Sequence, residues 1–97
     1  MLESKIEAKM VAALTRRGAM AIKQEGTLAG LPDRLVVLPC GRYIWVELKQ
    51  DKGRTRPVQD AMHARLRALG CDVRVIHGMQ EAMDFVEEEM PLELYPE

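Results

Sequence analysis

Two short apolar runs, Arg34 to Leu38 and Tyr43 to Leu48, are separated by only Pro39-Cys40-Gly41-Arg42. Runs of this kind so close together have little choice but to pair as an antiparallel hairpin. With Cys40-Gly41 at the tip, Pro39 faces Arg42, and the same register carried outward sets Asp33 opposite Leu48, beside Glu47. Side chains alternate along a strand, so Tyr43, Trp45, Glu47 and Lys49 share one face and Ile44, Val46 and Leu48 the other. The open end of the hairpin is therefore expected to gather two carboxylates, Asp33 and Glu47, and one amine, Lys49.

The rest of the chain reads as helices and strands wrapped around that hairpin. Leu2, Ile6, Met10 and Leu14 recur every four residues, which predicts a helix over about Ser4 to Arg17, with Gly18 as its stop. Ala19 to Gln24 is a weak strand, and Glu25 to Leu31 a glycine-containing loop. Gln50 to Arg56 reads as a mobile basic loop around Gly53. Pro57 suits the first turn of a second helix, whose apolar stripe would be Val58, Met62, Leu66 and Leu69 and whose end is Gly70. Val73 to Ile76 is a further strand, and the step from Tyr43 to Ile76 should be a right-handed parallel crossover. A third helix is expected over about Met79 to Glu89, with Ala82, Met83 and Val86 inward. The predicted fold is α/β, in the order α-β-β-β-α-β-α around a mixed sheet. Residues 1–90 form one domain, and 91–97 an acidic tail, frayed or packed on a partner.

The 97 residues suffice for one small domain with one core. With 47% hydrophobic and 30% charged side chains the mixture is that of an ordinary globular protein. No apolar run has membrane-spanning length, and the first residues lack the pattern of a signal peptide, so a cytoplasmic protein is expected. Cys40 and Cys71 are too few and too isolated for a zinc site, and reduced thiols are expected. The formal net charge of −1 hides an asymmetry. All 14 Lys and Arg lie at or before Arg74, while seven of the 15 acids follow Gln80, so residues 1–80 carry a net +6. A basic body fits an anionic polymer as partner, although a solvated mixed surface has the same composition.

Magnesium prefers oxygen ligands in near-octahedral geometry. Asp33 and Glu47 can supply two carboxylate oxygens, and the backbone carbonyl of Leu48 a third. Lys49, on the Glu47 face, is placed to orient a water or to stabilise charge on a phosphate. Taken singly, a Glu-x-Lys at a strand end is usually a solvated pair and a Pro-Asp step usually a turn; their meeting across one hairpin is what points to chemistry. Glu7 and Glu3, on the first helix, can lean over this end or simply pair with neighbouring lysines. Gln59, in the first turn of the second helix, can bond a phosphate or a carboxylate. His63 is expected as an exposed polar-face residue, and His77 as a turn residue. Lys52, Arg54 and Arg56, balanced only by Asp51, look like phosphate-gripping side chains. A metal-dependent nuclease is the leading reading. A nucleic-acid-binding module without catalysis and a structural subunit docking through the acidic end are the alternatives.

Gly30-Leu31-Pro32-Asp33-Arg34-Leu35-Val36, Val46-Glu47-Leu48-Lys49, Gln59, and Leu66-Arg67-Ala68-Leu69-Gly70 before a valine-rich strand resemble the VRR-NUC family. These are the virus-type replication-repair nucleases, within the PD-(D/E)xK restriction-endonuclease-like superfamily. The resemblance covers Glu3 to about Phe85 and is to free-standing, phage-type members. It implies a DNA endonuclease dependent on Mg²⁺ or Mn²⁺, with Asp33 and Glu47 on the metal, Lys49 catalytic, a glutamate of the first helix assisting and Gln59 in the site. It also implies a homodimer, and branched or junction DNA as a possible substrate in replication and repair.

Overall fold

The computed structural model describes residues 2–26 and 28–97. Helix α1 (Glu3–Arg16) leads into β1 (Met20–Lys23), β2 (Arg34–Val37), β3 (Tyr43–Lys49), α2 (Pro57–Ala68), β4 (Val73–His77) and α3 (Gly78–Glu89). The sheet order is β1-β2-β3-β4, with the first two pairings antiparallel and β3–β4 parallel. The α/β class and the order α-β-β-β-α-β-α are as the sequence predicts.

The main core lies between the sheet and α1 with α3. Val36, Ile44, Val46, Leu48 and Ile76 from the strands meet Ile6, Met10 and Leu14 of α1 and Ala82, Phe85 and Val86 of α3. On the other face, α2 touches β4, and its Met62 is buried beside Gly30. Away from α2, over β1, β2 and the start of β3, that face is bare. Met20, Ile22 and Tyr43 are exposed, and their ladder neighbours Val37, Leu35 and Trp45 are half-buried.

The hairpin register is one residue away from the predicted one. Val37 pairs with Tyr43 and Arg34 with Val46, and the Leu38 N–H donates to the Arg42 carbonyl at 2.7 Å. A two-residue tip would need an N–H from Pro39 to close against Arg42, and proline has none. The chain instead uses a three-residue turn, Pro39–Gly41, with Cys40 at φ 65° and Gly41 at φ 76°. Carried outward, this register sets Asp33 opposite Glu47, and so on the Glu47 face, and Pro32 opposite Leu48.

Two further expectations are corrected. The α2 stripe is turned: Val58 and Leu69 are exposed, Leu66 is half-buried, and the buried residues are Gln59, Met62 and His63. The segment 91–97 is not frayed. Tyr95 packs against the core, and Glu97 pairs with Arg16 and Arg17, which also reaches Glu87 and the Met90 carbonyl. Both cysteines are free.

Candidate active site

The site is built where β2 lets go of β3. The Leu38–Arg42 bond shows that even-numbered backbone groups of this hairpin face the partner strand. The Trp45 N–H, bonded to the Asp72 carbonyl at 2.8 Å, shows that odd-numbered groups of β3 face β4. The amide and carbonyl of Leu48 therefore point to the β2 side, at the level of Pro32. Pro32 has no N–H for that carbonyl. The amide is taken by the side chain of Asp33, whose Oδ2 accepts it at 2.8 Å. On its other side Asp33 is anchored by its own carbonyl, which accepts the Gln24 N–H at 3.0 Å.

Glu47 is 1% exposed, a rare position for a carboxylate. Its Oε2 lies 3.5 Å from Lys49 Nζ and accepts a hydrogen bond from Gln59 Nε2 at 3.1 Å. Its Oε1 is buried with no hydrogen-bond partner. Burial, and then the nearby Asp33 carboxylate, raise the Glu47 pKa to about 7, while Lys49 pulls it the other way. Two acids sharing a dry corner with a single ammonium leave a demand for further positive charge.

Gln59 ties α2 to this corner. Its side-chain carbonyl accepts the Arg56 N–H at 2.9 Å while its amide serves Glu47, so it holds a carboxylate of the protein itself. Gly30 brings the β1–β2 loop against the same helix. At φ 84°, it lies so close that a Cβ there would sit 2.3 Å from the Val58 carbonyl oxygen.

Asp33, Glu47, Leu48, Lys49 and Gln59 are thus brought together. Glu7 is instead bonded to Arg34, at 2.6 Å from its Nε, and Arg34 also donates to the Ala21 carbonyl. Glu3 is exposed. Lys52, Arg54 and Arg56 are exposed on the loop joining β3 to α2, at the rim of the site. His77 closes β4, its N–H donating to Glu81. His63 is the residue that sequence reasoning misplaced. It is 1% exposed, with Nε2 at 3.9 Å from Glu47 Oε1, and burial holds its imidazole below the usual pKa. The available signal was its spacing, four residues after Gln59 and so on the same side of the helix.

The mixed sheet, its flanking helices and the acid–acid–lysine cluster at a strand end define a protein of the PD-(D/E)xK restriction-endonuclease-like class. Residues 2–80 match the family model of the VRR-NUC domain, and the chain belongs to that family of nucleases. A curated phage protein named "Putative nuclease p44", from Acyrthosiphon pisum secondary endosymbiont phage 1, is 41% identical over 75 residues, 76% of this chain and 81% of the relative. A solved structure described as a VRR_NUC domain superposes with a TM-score of 0.76 at 27% identity, covering 88% of this chain and 94% of the other. The Holliday junction resolvase Hjc of Archaeoglobus fulgidus shares the fold, with a TM-score of 0.56 at 18% identity over 77% of this chain and 67% of its own.

Proposed function

We propose that this chain is a DNA endonuclease that hydrolyses phosphodiester bonds with Mg²⁺ or Mn²⁺ held by Asp33, Glu47 and the Leu48 carbonyl. The observation that carries the reading is the Leu48 peptide. Its amide is capped by Asp33 and its carbonyl faces a proline, so a backbone oxygen is held open between two acids. Among the described residues no three His, Cys, Asp or Glu side chains converge as a metal cluster. Two carboxylates would therefore hold the ion here, with the Leu48 carbonyl as a third oxygen and water and phosphate as the rest. The donors are all oxygen, which suits a hard dication.

When bound, the dication supplies charge to the scissile phosphate and lowers the pKa of water. Lys49, held on the Glu47 side of β3, orients the attacking water and offsets the negative charge that grows on the phosphate. Gln59 keeps the Glu47 carboxylate turned toward the site. Glu7 assists from one step away by securing Arg34, the residue after Asp33. Lys52, Arg54 and Arg56 grip phosphates flanking the cleaved bond.

Branched or junction DNA is the substrate we infer, and a homodimer the working form. The bare apolar stretch made by Met20, Ile22, Leu35, Val37, Tyr43 and Trp45 supports the dimer and fits a second copy better than a phosphate backbone. Among the described residues no helix is long and apolar enough to cross a membrane, and we place the protein in the cytoplasm.

The test is incubation with labelled branched and linear DNAs in Mg²⁺, Mn²⁺, Ca²⁺ or EDTA. Cleavage should need Mg²⁺ or Mn²⁺ and disappear in Asp33→Asn and Lys49→Ala, with far-UV circular dichroism unchanged. Cutting by either variant at the wild-type rate would defeat the assignment.

A further inference from the structure

His63 lies beneath the Glu47 carboxylate, one helical turn deeper than Gln59. Its Nε2 and Glu47 Oε1 are the two buried side-chain polar atoms without a hydrogen-bond partner among the described residues. They face one another across 3.9 Å, too far for a hydrogen bond. An unmet polar atom in a dry interior is costly, and natural interiors seldom keep one without a use. Here two such atoms sit opposite each other, and their chemistry matches. A neutral imidazole can carry a proton on Nε2, and a carboxylate oxygen accepts one.

The other carboxylate oxygen is already served by Gln59 and Lys49. Gln59 and His63, spaced four apart on one helix face, thus stand at the two oxygens of one carboxylate, Gln59 bonded to Oε2 and His63 facing Oε1 without a bond. We propose that His63 is the positioning residue of Glu47. In its Nε2–H form it donates to Glu47 Oε1 when that side chain is ionised in the metal-loaded site. The contact closes from its present separation to hydrogen-bonding length and fixes the plane of the carboxylate. His63 thereby sets the affinity for the dication without touching it, as partners behind metal ligands commonly do. This rests on the reading of Glu47 as a metal ligand given above.

The experiment measures Mn²⁺ binding, by electron paramagnetic resonance of the free ion, in wild type, His63→Leu, His63→Gln and Glu47→Gln. Leu fills the space without a donor, whereas the Gln amide can place an N–H near that of Nε2. Binding should weaken about tenfold or more in His63→Leu and stay within about threefold of wild type in His63→Gln. Wild-type affinity in His63→Leu, with affinity lost in Glu47→Gln, overturns the His63 assignment alone. Wild-type affinity in Glu47→Gln overturns the metal reading and this proposal with it. Electron spin-echo modulation from a directly bonded imidazole nitrogen, present in wild type and absent in His63→Leu, would make His63 a ligand and refute the positioning role. One measurement needs no variant. Long-range ¹⁵N–¹H spectra with Mg²⁺ should show His63 protonated on Nε2, and protonation on Nδ1 alone would overturn the proposal.

Discussion

Replacing Glu47 with Gln should stabilise the metal-free protein, and the gain should depend on pH. Glu47 titrates near 7 in the folded chain, against 4.5 ordinarily. Below about pH 4.5 the residue is protonated whether folded or not, and Gln is a close mimic of that form. As pH rises through 4.5 the unfolded chain gives up this proton while the folded chain keeps it until about 7. Stability is therefore lost across that window, and above it the folded state carries a buried anion at full cost. At 1.36 kcal/mol per pKa unit, the difference between variant and wild type should grow by up to about 3 kcal/mol between pH 4.5 and 8. In a domain of this size that corresponds to a shift in Tm of roughly 10 °C or more. Urea unfolding in EDTA at several pH values reads it directly. The same change should abolish cleavage, and Mn²⁺ should stabilise wild type but not the variant. A variant-minus-wild-type difference that stays flat from pH 5 to 8 would refute the idea that Glu47 is held in a desolvated corner beside Asp33.

Three other outcomes follow from the geometry. Gly30→Ala pushes a methyl into the Val58 carbonyl and strains a positive φ, so it should cost about 2 kcal/mol or more in urea unfolding. Pro32→Ala returns an N–H opposite the Leu48 carbonyl. A net hydrogen bond of about 1 kcal/mol competing for that oxygen should weaken Mn²⁺ binding roughly fivefold, measurable by calorimetry. Arg17→Ala removes a guanidinium that holds Glu87, Glu97 and the Met90 carbonyl, so carboxypeptidase should trim residues 91–97 faster than in wild type.

The sheet and its order were legible because periods of two and of nearly four alternate cleanly along this chain, and because Pro and Gly punctuate them. That Asp33, Glu47 and Lys49 lie at one end of the hairpin was legible for the same reason, but that Asp33 shares the Glu47 face was not, because the predicted register set it opposite Leu48. The register differs by one residue because Pro39 has no N–H with which to close a two-residue tip at Cys40-Gly41. The α2 face was misread for a different reason. Val58 and Leu69 look like core, but the helix turns Gln59 and His63 inward, because what lies beneath it is a carboxylate and not an apolar sheet. Polar side chains read as solvent-facing unless their buried partner is known, and that partner lies on another strand. The tail was opaque for a similar reason, since Glu97 finds its cations at Arg16 and Arg17, some eighty residues earlier.

The turn at Pro39–Gly41 stands at the opposite end of the hairpin from Asp33, roughly 20 Å away at strand spacing. Yet it decides which acid meets which, because an antiparallel pair is counted from its bend. A bend closed by Pro39 and Arg42 on Cys40-Gly41 alone would shift every partnership by one and set Asp33 on the Leu48 face of the sheet, away from Glu47. Three residues at the far end of the hairpin from both acids thus work like the first tooth of a zip, dictating how its other end lines up.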